Sequence, residues 1–464
     1  MFRKVKKIHF VGIGGIGMSG IAELLLNLDF KISGSDISDS DIIQSLIKKG
    51  AIVHTDGHKD KYVADSEVLV YSSAVKEDNP EIIVAKDKGI PVIRRAEMLG
   101  ELIAVKETSI AISGTHGKTS TSSMIGSVLN AANYDPTLVV GGLVKTLDTN
   151  SLLGSGDIIV VEADEFDRSF LALRPTISVV TNIELEHTDC YENIEELQNA
   201  FIQFCNSIPF YGEVIVCLDS PGVRGILSDI YRPLTTYGLS NQADYRAENI
   251  IYEANTISYS AYYQQQKLGQ IKVNIPGQHN VLNSLAALAL GMEMEIPFKI
   301  IQKGLNDYGG VRRRFEIKGI VNDIMVVDDY AHHPTEVTAT LNAARSGWNR
   351  RIIAVFQPHL FTRTRDFYHD FAESFLDSDI LIVTDVYPAR EEKIAGIDGK
   401  LVAKTAKEFG HKNVHYLPNL AELKNKLDNL AKPGDLIIGL GAGTIWRYIE
   451  KYYQHLVDKF NSSE

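Results

Sequence analysis

Along its whole length the chain alternates short apolar runs with stretches in which apolar residues return every three or four positions. Runs of four to six aliphatic residues are too short for buried helices and suit strands covered on both faces, while the periodic stretches suit helices laid over them. The alternation predicts parallel sheets flanked by helices, an α/β fold. Strands at 8–11, 30–33, 67–71 and 91–93, with a helix at 18–28 and a helical, charged exit at 94–106, make a first unit. A second opens with a strand at 108–113 and continues through strands near 158–162, 177–181 and 214–218. Residues 247–275 alternate like hairpins, and helices are expected at 280–294 and 297–307. Gly309-Gly310 marks a hinge into a third unit with strands at 324–327, 352–356, 380–383 and 436–439. The expected domains are therefore 1–106, 107–310 and 311–464.

Composition narrows the class. A chain of 464 residues, 44% hydrophobic and 23% charged, has ample material for about three cores of ordinary size. No apolar stretch is long enough for a bilayer span, so no membrane insertion is expected. The basic start MFRKVKK leads into apolar residues, but glycines at 12, 14, 15, 17 and 20 make a poor secretory core. Cys190, Cys205 and Cys217 are odd in number and lack metal spacing, which suits buried thiols in a reducing, cytoplasmic setting. A net charge of −12 argues against a nucleic-acid surface. The expected assembly is a monomer or dimer.

The sharpest chemical signal is Gly114-Thr115-His116-Gly117-Lys118-Thr119-Ser120, placed between a strand and a helix. Glycines let backbone N–H groups converge on phosphate oxygens, the lysine neutralises them, and the following hydroxyl can reach Mg²⁺. Ile112 stands where the common phosphate loop has its first glycine, and Gly114 supplies the turn instead, so the loop is two residues tighter. It implies a nucleoside triphosphate, ATP, at the centre of the chemistry.

A second glycine turn, Gly12-Ile13-Gly14-Gly15-Ile16-Gly17, also follows a strand and precedes a helix that starts Met18-Ser19, with Asp36 at 19 residues beyond Gly17. This is the full dinucleotide fingerprint and admits NAD and an oxidoreductase; a sugar-nucleotide diphosphate satisfies the same groups, and a purely structural turn is the third reading. Ser72 and Ser73 after the next strand offer further donors.

Polar clusters gather at other strand ends, where open α/β sheets hold their ligands. Glu162-Ala163-Asp164-Glu165 and Thr181-Asn182-Ile183-Glu184-Leu185-Glu186-His187 could complete a Mg²⁺ shell beside the loop hydroxyl. His279 and Asn283 are four apart and could read an adenine edge, or Asn283 could belong to an ordinary helix start. In the third unit Asp328-Asp329-Tyr330-Ala331-His332-His333 ends a strand, and His359 follows another. Arg313, Arg314 and Arg363 suit phosphate or carboxylate clamps. Gly439-Leu440-Gly441-Ala442-Gly443 reads as packing at a strand–helix junction.

Together HFVGIGGIGMSGIAE, SGTHGKTSTS, EADEFDRSF, TNIELEHTDCY, GQHNVLNSLAA, RRRFE, DDYAHHPTE and FQPHLFTRT resemble the Mur ligases in the same order over nearly the whole chain. The resemblance implies a Rossmann-like N-terminal domain for a UDP-sugar, a central phosphate-loop ATPase domain and a Rossmann-like C-terminal domain that closes the site and binds the amino acid. It implies ATP and Mg²⁺ as cofactors and UDP-N-acetylmuramate and L-alanine as substrates, because residues 197–210 lack the lysine that several sister ligases carry there. Peptide-recycling ligases of the same family are the nearest alternative. Implied for catalysis are Lys118, His187, His359 and Arg363, with His187 or His359 as the acid–base group; for the metal, Thr119, Glu162 and His187. The nucleotide falls to 114–120 with His279, Asn283, Arg314 and Asp328. The UDP-sugar and its reaction partner fall to Gly14 to Ser19, Asp36, Ser72, Ser73, Tyr330 and His332. Leu185-Glu186 and Leu360-Phe361 depart from the family's frequent Pro-Asp and Arg-Tyr.

Overall fold

Strands form at the apolar runs, and in the computed structural model they gather into three sheets. It describes residues 5–461 except 64, 73, 145–148, 187–189 and 390. Ser73 and His187 thus lie outside the described residues.

The first sheet holds β1 (Lys7–Val11), β2 (Lys31–Ser35), β3 (Ile52–His54), β4 (Val68–Tyr71) and β5 (Val92–Arg94), all parallel, in the order β3-β2-β1-β4-β5. The order reverses beside β1, and the glycine turn sits at that switch point, opening helix α1 (Ile16–Asn27). Helices α2 (Asp41–Lys48) and α3 (Pro80–Asp87), which the pattern did not mark, are capped by Ser40 and Asn79, each accepting from a first-turn N–H. Helix α4 (Arg95–Ile103) follows β5.

The second sheet comprises β6 (Thr108–Ser113), β7 (Thr137–Val144), β8 (Thr149–Leu152), β9 (Ile158–Glu162), β10 (Ile177–Val180), β11 (Glu213–Cys217), β12 (Leu234–Gly238), β13 (Tyr245–Glu253), β14 (Thr256–Tyr263) and β15 (Gln266–Val273). Their order is β15-β14-β13-β12-β11-β10-β6-β9-β7-β8. Strand β6 is therefore flanked by β10 and β9, so both acidic clusters end strands adjoining the phosphate loop. The expected hairpins are β13 to β15, successive neighbours joined by two-residue turns. Helix α5 (Lys118–Ala131) leaves the loop.

The third sheet holds β16 (Glu316–Val321), β17 (Ile324–Asp329), β18 (Arg351–Phe356), β19 (Ile380–Val383), β20 (Val414–Tyr416) and β21 (Asp435–Leu440), ordered β16-β17-β21-β18-β19-β20. Strand β16 runs antiparallel to β17 and the others pair in parallel.

The chain gathers into two compact units. One runs to Asn249 and includes Tyr259–Lys272 and Leu282–Gly309; the other comprises Ile250–Ser258, Val273–Val281 and everything from Gly310 on. Within the first unit one core runs from Ile21 and Leu25 of α1 through Val139 and Val161 to Phe201 and Phe204. The first two sheets thus share buried apolar contact that local periodicity could not reveal. In the second unit β17, β18, β19 and β21 are buried on both faces.

Candidate active site

The phosphate loop is braced from the end of β10. Asn182 accepts from His116 N–H through Oδ1 (2.8 Å) and donates to His116 O through Nδ2 (3.0 Å), while its own carbonyl accepts from Thr115 N–H (3.1 Å). Thr181 Oγ1 donates to His116 O at 2.6 Å. Gly114 (φ +129°) is obligatory here, since a Cβ on it would lie 2.2 Å from Thr181 Oγ1. Gly117 (φ +84°) precedes the first helical residue, and the N–H groups of Lys118, Thr119 and Ser120 point forward from the helix start, where an anion is stabilised. Asn283 lies against Gly117 and accepts from Thr121 Oγ1 at 3.2 Å, so it buttresses the loop.

Lys118 is folded back over this loop. Its Nζ donates to Gly114 O (2.7 Å), Thr115 O (3.3 Å) and Glu165 Oε2 (2.8 Å), with Asp164 Oδ1 at 4.0 Å. Burial pulls its pKa down, but the facing Glu165 and Asp164 outweigh that and hold it above the ordinary lysine range. Burial raises Glu165 above the ordinary carboxylate range, against the pull of Lys118. The sequence pattern marked the acidic run, with Glu162 expected at the metal, and assigned Lys118 no carboxylate partner; the structure gives it Glu165. The presenting segment bends sharply, with Asp167 (φ 56°) and Arg168 (φ 54°) both left-handed, and Phe170 anchors it between Phe201 and Phe204 at 5.1 and 5.0 Å.

Glu162 ends β9 opposite Ile112 of β6 and accepts from Gly141 N–H of β7 at 2.7 Å. Thr119 is buried in the first turn of α5. A hydroxyl and a fixed carboxylate are hard oxygen donors and fit Mg²⁺. Beside the loop, His116 Nε2 stands 3.5 Å from Glu184 Oε2.

The first glycine turn is held by its own neighbours. Gly12 (φ +78°) and Ile13 donate to Ser35 O (2.9 and 3.2 Å), and Gly14 N–H donates to Asp36 Oδ2 at 2.8 Å. Asp36 and Gly14 therefore bind each other, and Asp36 stiffens the turn. By helix geometry the N–H groups without an intrahelical partner are those of Ile16, Gly17 and Met18. Met18's side chain is buried in the core and Ser19 is buried as well. Ser72 adjoins the turn, 3.3 Å from where a Cβ of Gly12 would stand.

In the second unit Arg313 (φ 60°) donates through Nε to Asp328 Oδ2 (3.3 Å) and through Nη2 to Gly441 O (2.5 Å). Burial pushes the Asp328 carboxyl up to about 6 against the opposing charge of Arg313. Asp329 organises the turn, accepting from Phe315 N–H (2.6 Å) and Ala331 N–H (2.7 Å). The Arg313 and Arg314 guanidinium groups lie 4.7 and 5.3 Å from the Tyr330 ring centre. His332 donates its backbone N–H to Glu336 (3.0 Å), which also takes Arg314 (3.4 Å). Buried Arg363 donates to His359 Nδ1 at 3.4 Å. Asp328 Oδ1 and His279 Nδ1 are among the buried polar atoms that find no protein partner among the described residues, and such atoms in a native fold call for a ligand or water. His279 Nε2 faces Asn280 Nδ2 at 3.0 Å; burial first, then Arg314, hold the ring's pKa down to about 4.

A lysine-capped phosphate loop at a central parallel sheet, accompanied by two further doubly wound sheets, defines a nucleotide-dependent α/β enzyme. The chain belongs to the Mur ligase family. Residues 7–107 match the model of the Mur ligase family catalytic domain, 112–291 that of the Mur ligase middle domain, and 313–443 that of the glutamate ligase domain. It is 49% identical over 456 residues to the UDP-N-acetylmuramate–L-alanine ligase of Geotalea daltonii, covering 98% of this chain and 99% of that one. The ligase of the same name from Salinibacter ruber is 48% identical, with 98% and 95% covered. Among solved structures it is similar to the UDP-N-acetylmuramate–alanine ligase of Thermotoga maritima (TM-score 0.84, 28% identity, 99% of this chain and 100% of that one). A murein peptide ligase from Psychrobacter arcticus shares the fold (TM-score 0.70, 24% identity, 97% and 98% covered). The family is one of ATP-dependent ligases, and the oxidoreductase reading of the first glycine turn falls.

Proposed function

We propose that this chain joins L-alanine to the carboxylate of UDP-N-acetylmuramate with hydrolysis of ATP, in peptidoglycan precursor synthesis. Near-full-length relatives bearing that activity's name support the reading. The observation that carries it is Lys118, poised over a braced glycine loop at a helix start. A carboxylate is a poor acyl donor, so the γ-phosphoryl group of ATP moves onto it first, giving an acyl phosphate. Lys118 leaves Glu165 for the phosphates and offsets the repulsion between two anions. The amine of L-alanine then attacks the acyl carbon, phosphate departs and an amide remains.

Thr119, Glu162 and His187 would hold Mg²⁺, which when bound neutralises charge developing on the transferred phosphoryl group. Asp328 and His279, each with an orphaned polar atom, take the ribose and adenine, with Arg314 supporting them. The N–H groups opening α1, with Ser72, take the UDP-sugar. Tyr330, His332, His359 and Arg363 serve the amino acid. With Arg363 donating to Nδ1, neutral His359 keeps its proton on Nε2, so it donates to the substrate carboxylate, and the amine's proton goes to the departing phosphate. The domains divide at 106/107 and 310/311, and the enzyme works in the cytoplasm; no described helix is long and apolar enough to cross a membrane.

The test is phosphate release from ATP with UDP-N-acetylmuramate and a panel of amino acids and short peptides. L-alanine should be the best acceptor, and Lys118→Ala should abolish release while remaining folded. Preference for an alanine-containing peptide would instead establish the recycling reaction.

A further inference from the structure

Tyr387 lies in the loop after β19 and belongs to none of the motifs above, yet it is built into the end of β18. Its N–H donates to Pro358 O (2.8 Å), its carbonyl accepts from Leu360 N–H (3.0 Å), and the two segments form a parallel bridge at His359. The Tyr387 ring stacks on the His359 imidazole with centroids 5.8 Å apart and planes at 17°. On the imidazole's edge stands His332, 6.0 Å away at 81°. Tyr387 rests in turn on Gly443, where a Cβ would lie 2.7 Å from the ring. Gly443 is thus the seat of an aromatic ring as well as part of a strand–helix junction.

Leu360 adopts φ 69°, a strained conformation for a branched residue, directly before the helix Phe361–Ser374 that carries Arg363. The Tyr387 carbonyl holds this turn. Four residues on, Glu391 accepts from Thr362 N–H (3.0 Å) and from its hydroxyl, so the loop fixes the helix start a second time.

We propose that Tyr387 is a positioning residue for the amino-acid substrate: its ring, seated on Gly443, sets the plane of His359, and its backbone sets the origin of the helix that delivers Arg363. The assignment rests on the proposed use of His359 and Arg363 for that substrate's carboxylate. Ring stacking requires a flat six-membered ring and not the hydroxyl, so phenylalanine preserves the function and leucine does not.

The test uses the full-length enzyme carrying Tyr387→Phe, Tyr387→Leu or Gly443→Ala. Steady-state kinetics give KM for L-alanine, ATP and UDP-N-acetylmuramate, and NMR of the imidazole signals, assigned with a His359→Gln control, reports the stack without turnover. Tyr387→Phe should keep KM for L-alanine within about twofold, whereas Tyr387→Leu and Gly443→Ala should raise it about tenfold and leave the other two constants unchanged. The His359 signals should move in Tyr387→Leu and Gly443→Ala and stay in Tyr387→Phe. A parental KM for L-alanine in Tyr387→Leu, an equal loss in Tyr387→Phe, or unmoved His359 signals would each overturn the proposal. Absence of L-alanine-dependent turnover in the parent would defeat the functional reading instead, and the NMR comparison would still decide whether Tyr387 orients His359.

Discussion

Lys118 has a carboxylate partner before any phosphate arrives, and that partner is buried Glu165. A buried ammonium that loses its counter-charge is costly, typically about 3–5 kcal/mol. Glu165→Gln should therefore lower the melting temperature of the ligand-free enzyme and enlarge the stabilisation given by ATP, whose phosphates replace the missing charge. Thermal unfolding with and without nucleotide checks this; an unchanged ligand-free melting temperature would count against the pair. His279 sets a second expectation, because burial and then Arg314 keep its pKa at about 4, below the unfolded value. The folded state thus resists protonation, so stability present above the unfolded pKa of about 6.5 is lost as pH falls toward 4. His279→Asn should shrink the drop in melting temperature between about pH 7 and about pH 5. The loop lysine and threonine were legible in the sequence because their spacing is the chemistry. The pairing of Lys118 with Glu165 was not, since no spacing rule shows which acid of a bent segment turns toward a lysine 47 residues earlier in the chain.

The bend, the glycine loop and the β9 strand end are matters of elements. Gly114→Ala should abolish ATP binding and destabilise the fold, because the residue has φ +129° and Thr181 occupies the space a methyl needs. Phe170→Ala should cost about 3–5 kcal/mol in denaturant unfolding and release the segment that presents Glu165. The strands carrying both glycine turns were readable as apolar runs. Strand β7, reading TLVVGGLV, was missed because its paired glycines imitate a turn, and polar β8 does not alternate. Gly141, the anchor of Glu162, lies in that missed strand, so the bracing of the carboxylate was hidden with it. Asp36 was correctly found at the end of β2, but its grip on Gly14 depends on how two βα turns approach one another.

At the scale of the whole molecule the two glycine turns should separate their ligands. Calorimetry should show binding of UDP-N-acetylmuramate and none of NAD; tight NAD binding with no response to the UDP-sugar would reverse the assignment. Chelating divalent cations should stop turnover and leave the melting temperature of the ligand-free enzyme unchanged, since the proposed Mg²⁺ acts on phosphates and not in the core. The sequence by itself determined the α/β class, the order of the strands that carry chemistry, the phosphate loop and the family, because these rest on local periodicity and on residues a few positions apart. The last passage of the chain from one compact unit to the other falls between Gly309 and Gly310, with Gly310 at φ 86°. Only the tertiary structure decided that the first two sheets share one core, that Asn182 grips His116, and that Gly14 is satisfied by Asp36. Those pairings join residues from 22 to more than 60 positions apart, and which of many compatible polar partners meet is set by strand order and packing.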